Sequence, residues 1–154
     1  MPGLDRQVAM HHLNINSDVK PVKQQQRRFH PEIMKAIKSE VRKLIDFDFI
    51  REEKHPDWFA NIIPVPKKNE KIRICIDFPD LNVAYPKYEL PLPIMDVMID
   101  NTCGFDRMSF MDGLSGYNQI KMYLEDEKHT SFRIPLGMYC YTVMPFGLNK
   151  AGAI

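Results

Sequence analysis

The chain has 154 residues, 44% hydrophobic and 27% charged, with a formal net charge of +1. This is ordinary globular composition, enough for one domain with a real core. No apolar run approaches the roughly 20 residues of a membrane span, and the start, MPGLDRQVAMHHLNINSD, lacks the apolar centre of a signal peptide. A soluble cytoplasmic protein with no membrane partner is the expectation. The charge is unevenly spread: residues 1–75 carry +5 and residues 76–154 carry −4. Such a division suits a protein that holds a polyanion with one part and metal ions with the other, with chance as the plain alternative. Cys75, Cys103 and Cys140 lie far apart without a CxxC pair, and no HExxH spacing occurs. A zinc site or disulfide framework is therefore not expected, and the cysteines read as buried or half-buried free thiols.

Residues 1–30 read as an extended basic linker. KPVKQQQRRF has four basic residues, no acid, a proline and a glutamine run, which cannot build a core but suits a solvated surface or a nucleic acid. Pro31 occupies the favoured first position of a helix. Behind it Ile33, Ile37, Val41, Leu44 and Ile45 recur at helical spacing on one face. ANIIPVPKKNEKIRICIDF predicts a β-hairpin, in which Ile72, Ile74, Ile76 and Phe78 alternate with Arg73, Cys75 and Asp77. Pro64 and Pro66 confine its first strand to an edge.

PKYELPLPIMDVMID turns helical through Ile94, Val97 and Met98, and RMSFMD predicts a short apolar strand. GLSGYNQIKM then turns away as a helix, with Gly113 and Gly116 allowing close approach. SFRIP and MYCYTVM form a second hairpin, with Tyr139, Tyr141 and Val143 on one face and Met138, Cys140, Thr142 and Met144 on the other. Helix, hairpin, helix, strand, helix and hairpin in this order make an α+β fold.

The stretch SFMDGLSGYNQI, residues 109–120, carries the candidate chemistry. A carboxylate at the end of a buried strand, here Asp112, is held rigidly while its oxygens face solvent. Hard cations such as Mg²⁺ take this kind of ligand, and two of them can clamp the oxygens of phosphoryl transfer. On spacing alone the signal is weak, since an Asp before a Gly is more often a turn or a helix cap than a ligand.

Three blocks change that balance: KIRICIDFPDLNVAYPKYELPLP, SFMDGLSGYNQIKM and TSFRIPLGMYCYTVMPFGL. In order and spacing they resemble the fingers and first palm blocks of reverse transcriptases, above all those of gypsy-type long-terminal-repeat retrotransposons. The resemblance runs from about residue 20 to the end, and HPDWFANIIPVPKK fits it too. It implies a partial right-hand polymerase fold: a fingers-like segment over residues 31–92, then over 93–154 the first, incomplete part of the palm with an interleaved fingers hairpin.

The resemblance also implies roles. Asp112 matches the first catalytic aspartate, which binds both Mg²⁺ ions of the complete enzyme, and Gly113 a metal-contacting carbonyl. Tyr117 matches the aromatic gate that stacks under the deoxyribose and excludes a 2′-hydroxyl. Arg73 matches the fingers arginine over the incoming triphosphate, and Lys67 or Lys68 the lysine on its γ-phosphate. Ser115 and Gly116 match positions whose backbone N–H groups face the triphosphate, and Phe146 a position lining the nucleotide pocket. The implied partners are an RNA or DNA template–primer and a deoxynucleoside triphosphate. The implied location is cytoplasmic, in virus-like particles, and a dimer is left open.

The departures matter for activity. The Y-x-D-D block that supplies two further catalytic carboxylates is absent from the 154 residues. The chain alone is therefore expected to bind Mg²⁺ weakly or not at all and to be inactive, with an exposed apolar edge. GLNKAGAI stands where the family reads G-L-K-N-A-G/P-A-T, Pro79 where Arg or Thr is usual, and Glu70 where Gly is common in the hairpin tip. The alternatives are a non-catalytic nucleic-acid-binding or dimerising piece, and a relic without function.

Overall fold

The computed structural model describes residues 3–66, 72–85, 94–109 and 116–148. In chain order these form β1 (Met10–His11), α1 (Pro31–Asp46), β2 (Ile50–Glu52), β3 (Asn61–Pro66), β4 (Ile72–Asp77), α2 (Pro79–Ala84) and α3 (Met95–Asp100). After them come β5 (Lys121–Met122), α4 (Leu124–Glu127), β6 (Phe132–Ile134) and β7 (Gly137–Tyr141), with 3-10 turns at Gly116–Gln119 and Lys128–Thr130.

Helix α1 starts at the proline, with Glu32 in its first turn and Lys43 in its last, which complements the helix dipole at both ends. Ile37 and Val41 are fully buried, and Ile33 and Leu44 pack against the core beside them. Ile45, placed on the same face by its spacing, is exposed. The chain leaves the helix through Asp48 at φ 56°, a left-handed conformation that aspartate tolerates better than most residues.

Strands β3 and β4 pair antiparallel from Asn61↔Asp77 to Pro66↔Ile72. This is the expected hairpin, and it forms a sheet of two strands, which leaves room for both prolines on a free edge. Ile76 and Phe78 point into the core while Arg73 is exposed. The second expected hairpin is β6–β7, in register from Phe132↔Tyr139 to Ile134↔Gly137. It gains a third strand, since β2 pairs along the other side of β7 from Ile50↔Tyr141 to Glu52↔Tyr139. With β7 central, the predicted two-faced alternation gives no solvent face: Cys140, Tyr141, Val143 and Met144 are all buried. Burial pushes the Cys140 thiol up to about 12, against the pull of nearby Arg51. Of the other cysteines Cys75 is half-buried, and Cys103, expected to be at least half-buried, is exposed.

The N-terminal segment is extended, yet it is tied to the body rather than solvated as a linker. β1 pairs in parallel with β5, Leu13 enters the core, and Lys23 bridges Phe59. A helix follows Ile94 as predicted, but no residue of α3 is buried among the described residues, and Met95 is 67% exposed. Residues 107–109 have no strand pairing, and the rest of the RMSFMD strand lies outside the described residues. The helix predicted after it is, in its described part, one 3-10 turn that runs into β5.

Candidate nucleotide pocket

Two chain segments far apart in sequence meet through backbone pairing. Lys121 bridges Val143, Met122 N–H donates to Thr142 O at 3.0 Å, and Met144 N–H donates to Ile120 O at 2.8 Å. This ladder continues to the aromatics on either side. Tyr117 and Phe146 meet edge to face, with ring centroids 5.1 Å apart and an interplanar angle of 82°, the geometry that ring quadrupoles favour. Tyr117 is half-buried by the contact, whereas Phe146 remains 56% exposed.

Phe146 also lines a cavity of about 580 Å³ with Arg73, Ile74, Asn118 and Tyr141, walled by Glu40 and Leu44 of α1. Arg73 projects from β4 opposite Val65, and no carboxylate among the described residues pairs with it. A planar cation over an open cavity is free to take an anion bidentately. Burial pushes the Tyr141 phenol up, so that wall stays neutral.

Gly147 locks this arrangement. Its φ is +97°, and a Cβ there would lie 2.8 Å from Ile76 O. The turn after Phe146 therefore rests directly on the β4 backbone, and Asn82 Nδ2 of α2 donates to Gly147 O at 2.9 Å. Gly147→Ala is expected to cost about 2–4 kcal/mol, from the backbone conformation and the overlap together. Urea unfolding of the variant measures it, and a loss below about 1 kcal/mol would contradict the close packing.

Arg73, Tyr117 and Phe146, singled out in the sequence, are thus brought together. Gly116 flanks Tyr117, and among the described residues a Cβ there would meet nothing within 4 Å. Lys67, Lys68, Asp112, Gly113 and Ser115 lie outside the described residues. Among the described residues no group of three or more His, Cys, Asp or Glu side chains could hold a metal ion. Sequence reasoning missed Gly147, Asn82 and Asn118. For Gly147 a signal existed, since a glycine directly after Pro-Phe marks a tight turn.

The prototype foamy virus protease–reverse transcriptase superposes on 92% of this chain and 19% of its own, with a TM-score of 0.75 at 19% identity. The foamy viral protease–reverse transcriptase in complex with double-stranded DNA covers 94% of this chain and 24% of its own, with a TM-score of 0.73 at 18% identity. The fold is that of part of a reverse transcriptase, mixed helices and antiparallel strands of the α+β class. In sequence, the Transposon Tf2-3 and Tf2-7 polyproteins of Schizosaccharomyces pombe are each 30% identical over 123 residues, 80% of this chain. The chain is related to these retrotransposon polyproteins and carries a reverse transcriptase-like region. It spans about a tenth of the length of the curated relatives it matches, 9% in each case. No family model matches. No helix among the described residues is long and apolar enough to cross a membrane.

Proposed function

We propose that the chain supplies the fingers and the opening part of the palm of a gypsy-type retrotransposon reverse transcriptase, which extends a DNA primer on an RNA or DNA template. The observation that supports this reading is that Arg73 and Phe146, distant in sequence, line one cavity, with Tyr117 packed against Phe146 at its edge. In it, the Arg73 guanidinium takes the triphosphate of the incoming deoxynucleotide, with Lys67 or Lys68 on its γ-phosphate. Tyr117, held edge-on by Phe146, stacks under the sugar and leaves no room for a 2′-hydroxyl. The N–H groups of Ser115 and Gly116 add neutral donors. The primer 3′-hydroxyl attacks the α-phosphate and pyrophosphate leaves. Magnesium, assigned to Asp112 and the Gly113 carbonyl, would stabilise the charge that develops on the transferred phosphoryl group.

The test is sugar discrimination in a longer, polymerising form of the protein. Tyr117→Ala is expected to raise the relative use of ribonucleotides roughly 10- to 100-fold, the range that a steric pocket commands. A ratio unchanged in a variant that still extends primers removes Tyr117 from the site and the reading with it.

A further inference from the structure

The three cysteines have three different surroundings. Cys140 is fully buried, and burial pushes its thiol up to about 12, which leaves it inert. Cys103 is exposed on the turn after α3, where its thiol donates to Ile99 O at 3.6 Å. Cys75, half-buried on β4, lines the cavity of about 580 Å³ that Arg73 and Phe146 also line. The strand explains this placement. Side chains alternate between the two faces of a strand, so Arg73 and Cys75 leave β4 on the same side, about 7 Å apart along the chain. Asp77, the next residue on that side, is not part of the cavity wall.

The cavity wall also holds a polar group that lacks a partner. Tyr141 is only 8% exposed, and among the described residues its hydroxyl makes no hydrogen bond; the Tyr141 bond to Thr130 uses the backbone N–H. A buried hydroxyl without a partner is costly, and a bound polar group removes that cost. Burial keeps the phenol protonated, hence a donor, and negative charge at Cys75 pushes the same way. The thiol and the phenol are therefore close enough to feel each other. Arg73 has no carboxylate partner among the described residues. Glu40, the carboxylate in the wall, is bonded to Lys43. A thiol, an unpaired guanidinium and a neutral donor thus share one space, of a size usual for small-molecule sites.

We infer that Cys75 is a site of reversible modification, at which its thiol forms a mixed disulfide with a small disulfide that carries carboxylates, of the glutathione class. The Cys75 thiol first gives its proton to solvent. The thiolate then attacks one sulfur of the small disulfide. The new S–S bond forms as the old one breaks, and the departing thiolate takes up a proton. One disulfide is consumed and one is made, so no other oxidant is needed. The carboxylates of the bound half pair with the Arg73 fork, and its carbonyls accept from the Tyr141 hydroxyl. An excess of free thiol removes the adduct by the reverse exchange. In the nucleotide pocket proposed above, the adduct shuts out the triphosphate. That consequence rests on the nucleotide reading, whereas the reaction itself needs only the cavity and Arg73.

The experiment treats the 154-residue chain with glutathione disulfide or with cystamine, a disulfide of opposite charge, and follows each cysteine by peptide mass mapping. The ratio of the two rates is referred to that of a short unstructured cysteine peptide. At Cys75 this ratio should favour glutathione disulfide by about five- to tenfold, the effect of one favourable charge pair near a protein surface. Arg73→Ala should abolish the preference, and Arg73→Lys should restore most of it. Cys140 reports on the fold, since it reacts only in a chain that has opened. A second measurement needs no variant: inorganic triphosphate, which competes for Arg73, should slow the glutathione reaction at Cys75 several-fold and leave Cys103 unchanged. A Cys75 that stays unmodified while Cys103 reacts overturns the inference. So does a preference unchanged in an Arg73→Ala chain whose Cys140 is still protected, or a reaction at Cys75 that triphosphate does not slow. Failure of the sugar-discrimination test above, with these results intact, would remove the nucleotide and keep the thiol site.

Discussion

Arg51→Met should destabilise the fold by about 3–5 kcal/mol, the loss expected when a buried charge is left without its main partner. Glu127 is the reason. It is 1% exposed, and its carboxylate accepts from Arg51 Nε at 2.7 Å and from Arg6 at 3.5 Å. Arg51 stands on β2 opposite Cys140 of β7, so the bond ties α4 to the three-stranded sheet. The bond to Glu127 also holds the Arg51 guanidinium above its ordinary pKa, against burial. The two partners are not equivalent. With Arg51 gone, a buried carboxylate keeps only the longer contact to Arg6. With Glu127 gone, both arginines are exposed enough to turn into water, since their side chains are 44% and 41% exposed. Glu127→Gln should therefore cost only about 1–3 kcal/mol, and the double variant should be more stable than Arg51→Met alone. Urea unfolding of the three variants measures this order. If Glu127→Gln proves the more damaging single change, the carboxylate is not the group that needs its partner.

The same cluster shows what the sequence conceals. Nothing in the spacing of LEDEKH says that its third acid is buried; Arg51 of β2 and Arg6 of the N-terminal segment, arriving from elsewhere, reach Glu127. Elements with their own periodicity were legible. Helix α1 has four of its five apolar positions against the core and a proline at its start, and β4 has alternating isoleucines. β2 was not legible, because IRE is three residues long with two charges, and it becomes a strand only by pairing with β7. The N-terminal segment shows the same effect. Its composition rules out a core of its own, yet Asn61 and Phe59 supply the hydrogen bonds that fix it. In the candidate site, the roles of Arg73, Tyr117 and Phe146 came from the resemblance of whole blocks, since period and spacing give an exposed arginine and two aromatics no function. Gly147 and Asn82 went unseen because their importance lies in a contact between β4, α2 and a turn some 65 residues away.

Asp112→Asn, made in a polymerising form that extends beyond these 154 residues, should lower primer extension at least about 1,000-fold. The exchange keeps the size of the side chain and removes its charge. A magnesium ion between triphosphate and enzyme needs anionic oxygen ligands at close range, and an amide oxygen supplies a dipole in their place. Removing even one neutral donor from a preorganised charge-stabilising site costs about 100- to 1,000-fold, and losing a metal ligand should cost at least as much. Asp106→Asn is the control, since this carboxylate lies nearby in sequence and is fully on the surface; it should leave the rate within about twofold. The polypeptide of residues 1–154, which holds Asp112 but no Y-x-D-D sequence, should extend no primer at all. The free energy of urea unfolding should be the same for the parent and the Asp112→Asn variant. A rate loss with unchanged stability locates the defect in the chemistry. A matching loss of stability would mean that Asp112 supports the fold, and the carboxylate would have to be withdrawn from the catalytic assignment.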